Sequence, residues 1–180
     1  TGFEHEKIVK TTQKYKNVYY SFNKDYETDN QVGSLIKCLK EYKHINNTLV
    51  LSNGLIPIDK IKINKRQSSI QVTDKASKIP FQIGSTNNHD LSYLFYGLPY
   101  KWTEFIYFNK ESVNQTIQLA EKTKYCKMFL FELINILLDY GVQIKIEHAQ
   151  KNIPIKINNI KDLGIAKKYY EKYMHHKIKR

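Results

Sequence analysis

The sequence predicts an α+β fold in which an antiparallel meander of hairpins packs on helices, organised as two related halves. Three observations carry that expectation. Apolar stretches of period two, separated by turn residues, fill 48 to 84. Stretches with helical spacing stand at 30 to 42 and 124 to 141. The segments YYSFNKD (19–25) and FIYFNKE (105–111) each end an extended run with Phe-Asn-Lys-acid and lead into a helix. The loop GSTNNHD (84–90) is the expected boundary, giving an N-terminal half over 1–86 and a C-terminal half over 87–180.

Taken in order, EHEKIVKTTQKYK (4–16) predicts a short helix and NVYYSF (17–22) a strand. NQVGSLIKCLKEY (30–42) places Val32, Leu35, Ile36 and Leu39 on one helical face, so it should lie on a sheet. In TLVLSNGLIPI (48–58) Asn53-Gly54 sits between two apolar runs, the chemistry of a type I′ hairpin turn, and Pro57 marks its strand as an edge. DKIKIN (59–64), SSIQVT (68–73) and IPFQIG (79–84) continue the meander. LSYLFYGLPYKWTEF (91–105), broken by Gly97 and Pro99, reads as helix and turn, and EFIYF (104–108) as a strand. NKESVNQTIQLAEKT (109–123) opens with capping chemistry. KYCKMFLFELINILLDYG (124–141) is apolar around most of its circumference, a buried helix ended by Gly141. VQIKIEHAQKNIPIKI (142–157) then reads as a hairpin, and a final helix runs from Asp162.

Helix, long helix and hairpin is the element order of a winged helix, and residues 110–157 resemble that topology. In such a domain the second helix reads the major groove. Here its exposed positions are expected to include Glu132, Asn135 and Asp139 beside Lys124 and Lys127, and the carboxylates of Glu132 and Asp139 repel phosphate, so contact is expected from the wing and the last helix.

Charge supports a polyanion partner. The chain of 180 residues carries a net charge of +12, and 27 of its 29 basic residues are Lys. Thirteen basic residues face six acidic ones in 121–180, against nine and seven in 1–60, so the closing third holds most of the positive field. Scarce Ala, at four residues, with abundant Ile, Asn and Tyr also fits an AT-rich coding bias, which inflates lysine without any ligand. The expected nucleic-acid-binding residues are Lys145, Lys151, Lys156, Lys167, Lys168, Lys172, Lys177, Lys179 and Arg180. Tyr96, Tyr100 and Trp102, within YLFYGLPYKW, are the expected partner-binding residues.

Catalytic signatures are not found. The seven glycines form no phosphate loop or dinucleotide fingerprint, and no nucleophile elbow is present. Cys38 and Cys126 lack a neighbour at metal or redox spacing, and His175 and His176 point about 100° apart on a helix, so no cofactor and no metal are expected. An acid-base pair such as Glu4 or Glu6 with His175 keeps a small metal-independent nuclease open. The run MFLFELINILL is too short to span a bilayer, and an intracellular location is expected. The sequence thus leads to a non-catalytic, DNA- or RNA-associated accessory domain that binds mainly phosphates and a protein partner within a larger complex. A scaffold subunit is the alternative.

Overall fold

A computed structural model describes residues 1–42, 47–51, 54–56, 63–74, 83–87, 89–119, 123–149 and 154–178, with the side chains of Leu51, Thr123 and residues from 172 onward not described. Five helices occur among them: α1 (His5–Thr12), α2 (Gln31–Glu41), α3 (Lys110–Leu119), α4 (Leu130–Asp139) and α5 (Ile160–Ile178), with a 3-10 turn at Thr123–Lys127. The strands are β1 (Thr48–Leu51), β2 (Leu55–Ile56), β3 (Ser68–Thr73), β4 (Ile83–Ser85), β5 (Phe95–Tyr96), β6 (Tyr100–Phe108), β7 (Ile144–His148) and β8 (Ile155–Lys156).

The main sheet is mixed. Its order is β5-β4-β6-β3-β7, with β1 also on β6, and β3 and β7 run parallel from Ser68↔Ile144 to Val72↔His148. The meander of antiparallel hairpins predicted from the sequence is therefore corrected. Strands β1 and β2 flank Gly54 but do not pair with each other: β1 pairs with β6 and β2 with β8. The expected wing is corrected in the same way, because β7 joins β3 while β8 joins β2. No winged helix results, and the expected two-halves repeat loses its N-terminal strand, since 18–23 has no regular structure.

The reason is physical. Period two reports which faces of a strand are buried, and that pattern is the same whichever neighbour supplies the hydrogen bonds. Ile144 and Ile146 face the core as predicted. The free edge of β3 offers Ile144–His148 a ladder five residues long, whereas β8 is only two residues long. In LSYLFYGLPYKWTEF, Gly97 adopts φ 75 and turns β5 into β6, so the predicted helix is a strand-turn-strand.

Strands β3 and β6 are buried on both faces over most of their length, as central strands of a covered sheet are. Ile106 is fully buried and lies opposite both Val50 and Ile70. Over this sheet the helices contribute Val32, Ile36 and Leu39 from α2, Val113 from α3 and Leu133, Ile134 and Leu137 from α4. Gly141, at φ 84, follows the end of α4 as predicted. Asn135, expected on an exposed helix face, is instead buried. Its side chain accepts from the Leu94 N–H and donates to the Leu94 carbonyl, both at 2.8 Å, tying the 91–94 segment to α4 as a strand neighbour would. Among the described residues no helix is long and apolar enough to cross a membrane.

Candidate active site at a split in the sheet

Strand β6 has two neighbours along one edge. β4 pairs with it at Tyr100 and Lys101, and β1 pairs with it from Phe105 to Phe108. Between these two pairings, among the described residues, no strand is paired with Thr103 or Glu104 on that side, and this interval is the split. On the opposite edge the β3 register slips: Ile70 faces Ile106 and Val72 faces Trp102, so Gln71 stands against Thr103, Glu104 and Phe105. This is a bulge, and bulges re-aim side chains next to functional crevices. Thr103 Oγ1 donates to the Gln71 carbonyl at 3.1 Å and Trp102 Nε1 donates to the Phe105 carbonyl at 2.8 Å, so the irregular backbone is tied down on both sides.

Glu104 takes φ 64, a left-handed conformation that costs a non-glycine residue about 1–3 kcal/mol. Its carboxylate meets Lys156 Nζ at 2.6 Å, with side chains 35% and 24% exposed, so the pair is shielded from full solvent screening. Lys156 arrives on the β2–β8 ribbon, through Leu55↔Lys156. Gly54, at φ 75, starts that ribbon: a Cβ there would lie 2.6 Å from the Ile157 carbonyl oxygen, while the Ile157 N–H donates to the Gly54 carbonyl at 2.9 Å. Asn159 Oδ1 then accepts from the N–H groups of Lys161 and Asp162, which opens α5. The parallel strands β3 and β7 finish at this same end of the sheet, at Thr73 and His148, where the Tyr100 ring stands edge-on to His148 at 5.7 Å. In open α/β sheets, ligands bind beyond the carboxyl ends of parallel strands where the strand order breaks. Among the described residues no three His, Cys, Asp or Glu side chains are grouped to hold a metal ion.

The residues singled out from sequence that the structure describes lie on several elements. Lys156 belongs to the split. Lys145 is ion-paired with Asp90. Lys167 and Lys168 are exposed on α5, and Lys172 and Lys177 lie on the same helix. Lys151, Lys179 and Arg180 lie outside the described residues, as does Asn53 of the expected turn. Trp102 is buried, Tyr100 is half-buried, and Tyr96 is exposed with its ring edge-on to Phe131. Sequence reasoning missed Gln71, Thr103 and Glu104. The available signal was an acid inside the otherwise aromatic run YKWTEFIYF, where a regular buried strand has no place for a carboxylate.

No protein-family model matches the chain, and no curated protein matches it in sequence. Solved structures do share its fold. CTP:phosphocholine cytidylyltransferase from Streptococcus pneumoniae superposes with a TM-score of 0.72 at 9% identity, over 91% of this chain and 73% of that one. The inositol-1-phosphate CTP transferase from T. maritima gives 0.59 at 12% identity, over 78% and 60%. A nucleoside-diphosphate-sugar pyrophosphorylase from Vibrio cholerae RC9 gives 0.54 at 14% identity, over 75% and 63%. The chain therefore spans less than two thirds of the length of the latter two. The shared fold is a mixed sheet with a central parallel pair and packed helices. The expected winged helix is corrected by this sheet, and the expectation of a non-catalytic nucleic-acid accessory domain or scaffold subunit is corrected by these neighbours, all of which are named as enzymes.

Proposed function

We propose that this chain acts in nucleotidyl transfer, joining a nucleotide from a nucleoside triphosphate, CTP in the first instance, to a small phosphorylated acceptor. The observation that carries this reading is the superposition of 91% of the chain on a CTP:phosphocholine cytidylyltransferase. Two of the three neighbours named above transfer from CTP to a phosphorylated small molecule, which supports the acceptor class. In the reaction, an acceptor phosphate oxygen forms a bond to the α-phosphorus, the bond from that phosphorus to the bridging oxygen breaks, and pyrophosphate leaves with the electron pair.

The split in the sheet supplies groups suited to part of that work. Lys156 brings a positive charge for the phosphate oxygens on which charge develops, and Glu104 holds that ammonium in position before a ligand arrives. The Thr103 hydroxyl, tied to Gln71, fixes the bulge from which Glu104 projects. The role assigned to Glu104, Lys156 and Thr103 is electrostatic and positional.

The test is pyrophosphate release by the purified chain with CTP, magnesium and, in turn, phosphocholine, inositol 1-phosphate and a hexose 1-phosphate. The proposal expects release that requires both substrates and falls about tenfold or more in Lys156→Gln. A folded chain that releases no pyrophosphate with any triphosphate and acceptor overturns it.

A further inference from the structure

At the opposite end of the sheet, a cleft of about 390 Å³ opens between the turn before β3 and the start of α3. Three cations line it: Lys65, Arg66 and Lys110. One carboxylate, Glu111, and the side chains of Asn47, Asn109 and Asn114 complete the lining. The ion pairs among the described residues are Lys7–Glu4, Lys37–Asp25, Lys145–Asp90 and Lys156–Glu104, so none of the three cleft cations is neutralised by a described carboxylate. We propose that this cleft binds the phosphate group of a small phosphorylated molecule, at a site separate from the split that holds Glu104 and Lys156.

The cleft is built, because a hydrogen-bonded wall fixes both of its sides. Asn64 holds the turn through Oδ1, which accepts from the Arg66 N–H at 3.1 Å. Asn109 joins that turn to the helix. Its Nδ2 donates to the Arg66 carbonyl at 3.3 Å, its own N–H donates to Ser68 Oγ at 3.0 Å, and its Oδ1 accepts from the Ser112 N–H at 3.0 Å. Ser68 and Ser112, both buried, share a further hydrogen bond at 2.7 Å. The positions from which Lys65, Arg66 and Lys110 project are thus set by the fold, although their ammonium and guanidinium groups stay in water.

Charge and size select the ligand class. Three cations against one carboxylate leave a net positive lining, and the planar guanidinium of Arg66 suits two phosphate oxygens at once. A volume of about 390 Å³ exceeds what bare phosphate fills and falls in the range of small-molecule sites. The ligand is therefore a phosphomonoester or diphosphate carrying a small organic body, and not an extended nucleic-acid backbone, which needs a track of cations.

Inorganic pyrophosphate and ribose 5-phosphate are the probes, titrated at constant ionic strength into the isotope-labelled full chain with amide shifts as readout. This readout does not depend on turnover, so it stands or falls apart from the nucleotidyl-transfer reading. Saturable shifts confined to 64–67 and 109–114 are expected. Lys65→Gln with Arg66→Gln should weaken binding by about tenfold or more, as loss of charge-assisted contacts does. Lys167→Gln with Lys168→Gln, exposed on α5 and outside the cleft lining, should leave it within about twofold. Equal weakening in both pairs, absence of saturation, or shifts centred on the split would overturn the proposal. So would a twelve-nucleotide single strand that displaces either probe at lower concentration than the probe itself binds.

Discussion

The two ends of the sheet use charge in opposite ways. At the split, Lys156 is three-quarters buried and is matched by Glu104, while at the far end Lys65, Arg66 and Lys110 stand in a solvated cleft without a matching ion pair. Burial explains the difference. A cation withdrawn from water must be paired, whereas an exposed one is stabilised by hydration. A ligand entering the split therefore competes with an existing pair, and a ligand entering the cleft does not. Affinity at the split should be the less sensitive to salt, because its charges are already partly shielded.

The largest expected effect comes from cutting the strand that links the two ends. Ile106→Ala empties a fully buried position between β1 and β3 and should cost about 3–4 kcal/mol in chemical denaturation. A loss below about 1 kcal/mol would mean that β6 is not the central strand. The bulge is tested by a pair of variants. Glu104→Ala removes the ion pair and keeps a left-handed side-chain residue, whereas Glu104→Gly removes both, so the glycine variant should be more stable than the alanine one by about 1 kcal/mol. The reverse order would place Glu104 in ordinary extended backbone. At the far end, Asn109→Ala should cost about 1 kcal/mol through loss of the α3 cap, with Asn109→Asp recovering most of it.

The smallest expected effect is at Asp25, away from both ends. A hydrogen bond from Lys37 holds its carboxyl below the usual carboxylate range. Because the folded pKa is depressed, the pair's contribution is present above the unfolded carboxylate pKa and is lost as pH falls through the folded value. Thermal melts of the wild type and Asp25→Asn should accordingly converge at acid pH and separate slightly near neutrality. Identical separation at every pH would remove the pair from the stability of the fold.

What the sequence made legible was burial, and what it concealed was partnership. The faces of α2 and the inward positions of β7 were readable because helical and strand periods report solvent exposure directly. The same period made VQIKIEHAQKNIPIKI look like a hairpin, although Ile144–His148 pairs in parallel with a strand more than 70 positions earlier in the chain. Residues 48–58 misled in the same way: Gly54 does adopt positive φ, yet the strand after it finds β8. Local turn chemistry cannot announce a partner one hundred residues away. The split was less legible still. Lys156 was singled out for its charge, but Glu104 and Thr103 acquire meaning only from the register slip against Gln71, which no local pattern encodes. The cleft was missed because the charge count drew attention to the closing third, while Lys65, Arg66 and Lys110 come from a stretch of modest net charge and meet through the fold.

Hydrogen exchange with and without the magnesium complex of CTP tests the central claim, that a nucleotide is handled at the carboxyl end of the parallel strands. Slower exchange at 70–74, 100–105 and 155–158, with 64–67 and 109–113 unchanged, is the predicted result. Protection confined to 64–67 and 109–113, or no protection anywhere at saturating nucleotide, would contradict it.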